Sequence, residues 1–176
     1  SVIPMHDLKQ AEHGIYLHVD LDRSFVGFVS RSNVTDALSL SSNEANDPLE
    51  YWEPIPHGHN CLTLDRDRFY LLATKERVRF PVDLCGDIAP YDASTGEFRT
   101  HYAGFFDPGF GGEDGITCVL EVRGREVPHK LFDNDPICLM VFEQVGMVEK
   151  PYQGHYQHQG PSLSKHFKKR FEVWGS

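Results

Sequence analysis

With 176 residues, 40% of them hydrophobic and 24% charged, the chain has the makeup of a single folded domain, which excludes wholesale disorder and a second independent fold. A formal net charge of -9 excludes a general affinity for DNA or RNA, because such binding rests on lysines and arginines displacing counterions from phosphates. Four cysteines stand far apart, at Cys61, Cys85, Cys118 and Cys138; this spacing excludes a zinc knuckle or a CxxC redox pair and reads as buried, reduced thiols.

From Gly14 onward the chain alternates short β-type runs with turn formers. The runs occupy residues 14–21, 24–30, 61–64, 68–74, 77–82, 101–106, 116–122 and 136–145. Period-two alternation is readable in Ile15, Leu17 and Val19, and again in Cys118, Leu120 and Val122. Helical periodicity is scarce, so the expected fold is an all-β sandwich or barrel. Between Ser39 and His59 the turn formers Asn43, Asn46, Asp47, Pro48, Pro54, Pro56 and Gly58 predict a long connection. Near the end, Leu163, Phe167, Arg170 and Phe171 recur at helix-like spacing, predicting a short terminal helix or an ordered arm. Lys165, Lys168, Lys169 and Arg170 crowd the same stretch, either as a solvated basic tail or as a local pocket for a phosphorylated small molecule. No charged-then-apolar leader opens the sequence, and no apolar run approaches the ~20 residues that span a bilayer. The expectation is a cytoplasmic protein with no membrane partner.

The stretch from His101 to Glu126 carries the densest chemistry. An apolar run ends at Phe106, and Asp107, Pro108 and Gly109 then force a tight turn. Gly109, Gly111 and Gly112 leave backbone bare for a ligand to approach. Glu121 follows inside an apolar run, flanked by Leu120 and Val122. Two readings stand: burial would raise such a carboxylate toward the working range of a general base, whereas strand alternation would turn it out to water.

The run AGFFDPGFGG at residues 103–112, followed by VLEV at 119–122, resembles the signature of the dCTP deaminases, in which a DPG turn precedes a strand containing a Leu-Glu dipeptide. The likeness extends in consistent order from about residue 64 to 167. Residues 126–145 resemble the segment leading into the family's next strand, and residues 151–167 resemble its nucleotide-covering C-terminal arm. WEPI at 52–55, RFYLLATKERVRFP at 68–81 and GEFRTHYAGFFDPGFG at 96–111 resemble most the C-terminal half of the long, tandem-domain bacterial form.

The resemblance implies a dUTPase-like β-clip fold, a distorted barrel or jelly roll. It implies one domain over residues 1–176, with an arm from about 150, in a homotrimer or pseudo-trimer, with a homologous N-terminal half as a further partner. It implies hydrolysis of dCTP to dUTP and ammonia, with Glu121 as the general base; dTTP is a further candidate ligand. Asp107, Val119, Tyr152, His155 and Gln159 fall at nucleotide-binding positions. No catalytic metal is implied, and the H-x-E with P-C-x-x-C pattern of zinc deaminases is absent. Mg2+ is expected only as companion of the triphosphate.

Two positions depart from the family. Its phosphate-binding segment carries lysine, serines and arginine, whereas residues 90–98 read PYDASTGEF, with Asp92 and Glu97 where positive charge is expected; another register brings Arg99 nearby. His155 stands where the arm usually presents lysine, giving a weaker, pH-dependent phosphate contact. His57 with His59, and His155 with His158, suggest a metal site or simply surface histidine. Three functions therefore compete: a deaminase, a dUTPase or bifunctional enzyme of the same fold, and a silent half that completes a partner domain.

Overall fold

A computed structural model describes residues 10–11, 14–57, 60–89, 99–100, 104–124, 127–146, 148–154, 156–157 and 163–169. Among the described residues, twelve strands and one helical turn run in the order β1 (Gln10–Ala11), β2 (Gly14–His18), β3 (Phe25–Ser30), α1 (Pro48–Tyr51), β4 (Trp52–Pro56), β5 (Cys61–Leu64), β6 (Phe69–Val78), β7 (Leu84–Ala89), β8 (Arg99–Thr100), β9 (Phe105–Phe106), β10 (Ile116–Arg123), β11 (His129–Phe132) and β12 (Pro136–Gln144).

They form two five-stranded sheets, ordered β1-β2-β12-β7-β9 and β4-β3-β6-β10-β8, with a ribbon of β11 and β5 beside them. The strand pairs are antiparallel. This is the all-β architecture that the short alternating runs predict, consistent with the dUTPase-like fold that the resemblance implies. A bridge between Val19 and Thr74 joins the sheets where β2 crosses β6.

One core fills the space between the layers. Leu17 and Val19 meet Ile137, Cys138 and Met140 from the first sheet; Tyr70, Leu72, Leu120 and Val122 come from the second; Leu64 and Leu131 close it from the ribbon. The inward sets of β2 and β10 sit at period two, so alternation decides which half of those strands leaves water, whereas in β12 an irregularity between Pro136 and Cys138 buries both Ile137 and Cys138. Burying a Val, Leu or Ile contributes about 1.5–3 kcal/mol.

Two expectations need correction, and one open alternative is decided. The connection at 39–59 is not unbroken loop. Asp47 caps Leu49 N–H at 3.1 Å, Pro48 begins one helical turn, and Trp52–Pro56 then forms β4. The prolines that argued against a strand are tolerated because β4 is the edge of its sheet, pairing only with β3. The two runs at 68–74 and 77–82 are largely one ten-residue strand, β6, whose pairing with β10 shifts register across the polar Thr74, Lys75 and Glu76. Described residues 163–169 form an extended arm rather than a helix. Asn46 N–H donates to His166 O, and Lys168 N–H donates to Asn46 O. Phe167, 8% exposed, packs on Tyr51 and Trp52 at 5.8 and 6.4 Å between ring centroids. The helix-like spacing reflects this aromatic anchor, with main-chain bonding to the Asn46 loop replacing an intrahelical ladder.

Candidate functional site

The turn after β9 is built as its residues require. Phe110 N–H closes it onto Asp107 O at 3.0 Å, leaving the Asp107 side chain exposed. Gly109 and Gly111 have φ of 85° and 87°, the left-handed region that side chains avoid. At Gly111 a Cβ would also run into the Val78 carbonyl oxygen, so the chain passes β6 at backbone distance. Phe80 N–H donates to Phe110 O at 2.9 Å, and the Phe80 and Phe110 rings pack on Phe106 at 5.6 and 5.2 Å. Arg77 reaches Gly115 O at 2.7 Å and Arg79 reaches Glu113 O at 3.2 Å, pinning the following loop to the end of β6.

From that loop the chain enters β10. Cys118, Leu120 and Val122 point into the core, and the alternation turns Glu121 out. Of the two sequence readings of Glu121, the outward one describes this chain: its carboxylate is exposed, opposite Leu71 of β6. Val119, on the same face, is half-buried.

The segment after β12 returns across this region. Tyr152 N–H donates to Pro108 O at 2.9 Å, and the Tyr152 ring packs on Phe110 at 5.4 Å. Gln157 grips the turn at two points: its amide donates to Gly109 O at 2.9 Å and its carbonyl accepts Gly111 N–H at 3.3 Å. Tyr156 N–H donates to the Tyr152 hydroxyl at 3.4 Å. Partial burial, then the nearby Tyr152 and the negative charge of Glu121, push the Tyr156 phenol above the ordinary tyrosine value. Between arm, turn and β6 lies a cleft of about 810 Å3, lined by Arg79, Phe80, Gly112, Glu113, Tyr152 and Gln157 among others.

The fold brings Tyr152 onto the turn that carries Asp107, whereas neither Asp107 nor Glu121 lines the cleft. His155 and Gln159 lie outside the described residues, as do the whole phosphate-segment candidate at 90–98, His59 and His158. Lys165, Lys168 and Lys169 are exposed beside the Asn46 loop, and none of them lines the cleft. Among the described residues no group of three histidines, cysteines or acids could hold a metal ion. No described helix is long and apolar enough to cross a membrane.

Sequence reasoning passed over Gln157 and Tyr156, since a glutamine in a turn-rich arm carries no periodicity. It also passed over a buried polar pair. Glu76, 6% exposed, accepts His18 N–H at 2.8 Å on one oxygen and meets His18 Nδ1 at 2.7 Å with the other. Here a signal existed, because Tyr70, Leu72, Thr74 and Glu76 share one parity on β6 and that parity faces the core.

Among curated proteins, none matches the chain. Among solved structures, a 2'-deoxycytidine 5'-triphosphate deaminase from Agrobacterium tumefaciens superposes with a TM-score of 0.68 at 37% identity. The match covers 75% of this chain and 42% of that one, so the chain spans less than half the length of the protein it resembles. The family model for the 2'-deoxycytidine 5'-triphosphate deaminase C-terminal domain matches residues 2–167, nearly the whole sequence. The chain belongs to the dCTP deaminase family.

Proposed function

We propose that the chain works in the hydrolytic deamination of dCTP to dUTP and ammonia, as the C-terminal half of a tandem deaminase, with Glu121 as the general base. The observation that carries this is membership of the family over residues 2–167; an outward Glu121 on β10 and an arm docked on the DPG turn support it. The Glu121 carboxylate takes a proton from water as the oxygen adds to C4 of the cytosine ring. The same group returns the proton to the amino nitrogen, which leaves as ammonia. Asp107, Val119, Tyr152, His155 and Gln159 contact the nucleotide. Mg2+ enters only as companion of the triphosphate, and dTTP is a candidate ligand of the same site.

Because Glu121 faces solvent in the single chain, water must be excluded over it by the nucleotide, the arm and a neighbouring domain. That requirement supports a trimer or pseudo-trimer completed by a homologous N-terminal half. The reading treats residues 1–176 as one domain with an arm from about 150, working in the cytoplasm. Ammonia release from dCTP, with and without a candidate N-terminal half, is the test. Turnover is expected from the pair, and Glu121→Gln should abolish it while keeping the fold. Full activity of that variant sinks the assignment.

A second reading is a silent half that completes its partner's site, favoured by Asp92 and Glu97 in the stretch where phosphate-binding cations belong. Micromolar dCTP binding to the chain alone would count against it.

A further inference from the structure

Gln157 lies in the arm, away from the positions that the family resemblance assigns to the nucleotide, yet it makes the most specific contact between arm and turn. Its carboxamide is the only side-chain group among the described residues that bonds to the main chain of residues 107–112, and it does so with both ends. The geometry matches the group: a primary amide offers one donor and one acceptor side by side, and Gly109 O and Gly111 N–H present the complementary pair. The neighbouring contacts follow the same docking. Pro151 lies against Gly109 where any side chain on that residue would clash, and Tyr152 N–H holds Pro108 O. Gln157 N–H turns back to Gly154 O at 3.2 Å, closing a tight bend that carries Tyr156 between them.

We infer that Gln157 is a positioning residue of the nucleotide site: its carboxamide locks the arm, with Tyr152 and Tyr156, onto the turn at residues 107–112. The inference rests on the reading of Glu121 as the deaminase base. Gln157 itself touches no reacting atom. It sets the fraction of molecules whose arm is already in place before nucleotide arrives. Undocking lowers that fraction, and apparent substrate affinity falls in proportion while saturated turnover is kept.

Two variants separate hydrogen bonding from packing. Gln157→Met keeps the length of the side chain and removes both polar ends. Gln157→Glu keeps the acceptor and replaces the donor with a carboxylate oxygen facing Gly109 O. In the full chain without nucleotide, Gln157→Met should lower the hydrogen-exchange protection of the Gly111 amide on the order of tenfold, the scale of one to two modest hydrogen bonds. The Tyr156 phenol, followed by NMR of ring-labelled tyrosine, should titrate nearer the ordinary tyrosine value. Gln157→Glu should behave like the Met variant at about pH 7.5. It should regain Gly111 protection, relative to wild type at the same pH, below about pH 4, where the protonated carboxyl again offers a donor and an acceptor.

In the deamination assay with the N-terminal half, KM for dCTP should rise on the order of tenfold with kcat within about twofold. Unchanged Gly111 protection and Tyr156 titration in Gln157→Met overturn the inference, as does a fall in kcat at constant KM. If wild type with its N-terminal half releases no ammonia, the deaminase reading fails, while the two NMR probes still decide whether Gln157 positions the arm.

Discussion

Replacing Glu76 by alanine should cost about 3–5 kcal/mol of stability, the range for breaking a buried ionic or charge-assisted pair by removing one partner. The figure follows from the contacts. The carboxylate side chain is 8% exposed, and it serves His18 N–H at 2.8 Å and His18 Nδ1 at 2.7 Å. A hydrogen bond to a charged group is worth about 1.5–3 kcal/mol, so the two together reach the same range. Alanine leaves the His18 main-chain N–H and ring without their acceptors at the crossing of β2 and β6, where the two sheets are joined. Glu76→Gln should cost only about 1 kcal/mol, because its carbonyl can still accept His18 N–H while its amide donates to a neutral imidazole. Glu76→Met should fall between them, since it restores volume but not the acceptor. Urea denaturation of the three variants is the assay, read as a shift in midpoint at constant slope. An alanine variant within about 1 kcal/mol of wild type would refute the reasoning, since it would mean that water replaces the carboxylate at no cost.

Gly111→Ala should destabilise the chain by about 1–3 kcal/mol, from left-handed strain and the collision with Val78 O, and a thermal melt compared with Gly146→Ala, where a Cβ meets nothing, checks this. The Lys75–Asp133 bridge, 2.7 Å long, should give stability a shallow pH dependence. Partial burial raises the Asp133 carboxyl, but the Lys75 hydrogen bond and Leu21 N–H outweigh it, so its folded value lies below the usual one. Its contribution, about 0.2–1 kcal/mol for so exposed a pair, is therefore complete above the unfolded carboxylate range and lost as pH falls through the lowered folded value. The Lys75 amine is raised, chiefly by that same hydrogen bond, so its share is complete below the unfolded lysine value and lost as pH rises through the raised one. Urea midpoints of wild type and Asp133→Asn across pH should converge at both extremes; a constant gap contradicts the linkage. Burial pushes the Cys138 thiol up to about 12 and raises Cys118 as well, whereas Cys61 is only half-buried. A thiol reagent at about pH 8 should label Cys61 first, and fast labelling of Cys118 or Cys138 in the native protein would show that the core opens readily.

The strands were legible where one rule decided them. Alternation at Ile15, Leu17 and Val19, and at Cys118, Leu120 and Val122, names core residues correctly because each strand has one wet and one dry face. It stopped short where tertiary context overrode local chemistry. Pro54 and Pro56 read as loop until the edge position of β4 removes the need for their missing N–H groups. Lys75 and Glu76 seemed to interrupt β6, yet each finds its partner, Asp133 and His18, 58 residues away in the sequence. Around Phe167 helix and ordered arm stayed open, because its packing on Tyr51 and Trp52 cannot be inferred from spacing. The DPG turn was legible in full, since Gly109 and Gly111 are demanded by backbone geometry alone, whereas Gln157 acts through a side-chain grip that no periodicity announces.

Glu121 shows how these two kinds of information meet. The alternation that buries Leu120 and Val122 is the same constraint that sends Glu121 outward, so a strand in this register cannot supply a dry pocket for its own carboxylate. Whatever dries the site must come from outside β10. One such element is present in the chain: the arm, fixed on the turn by Tyr152 and Gln157, sets the Tyr156 phenol where it feels the Glu121 charge. Glu121 and Tyr156 both remain exposed in the single chain. Under the proposed function, the exposed Glu121 face is therefore where a neighbouring domain would supply the remaining wall.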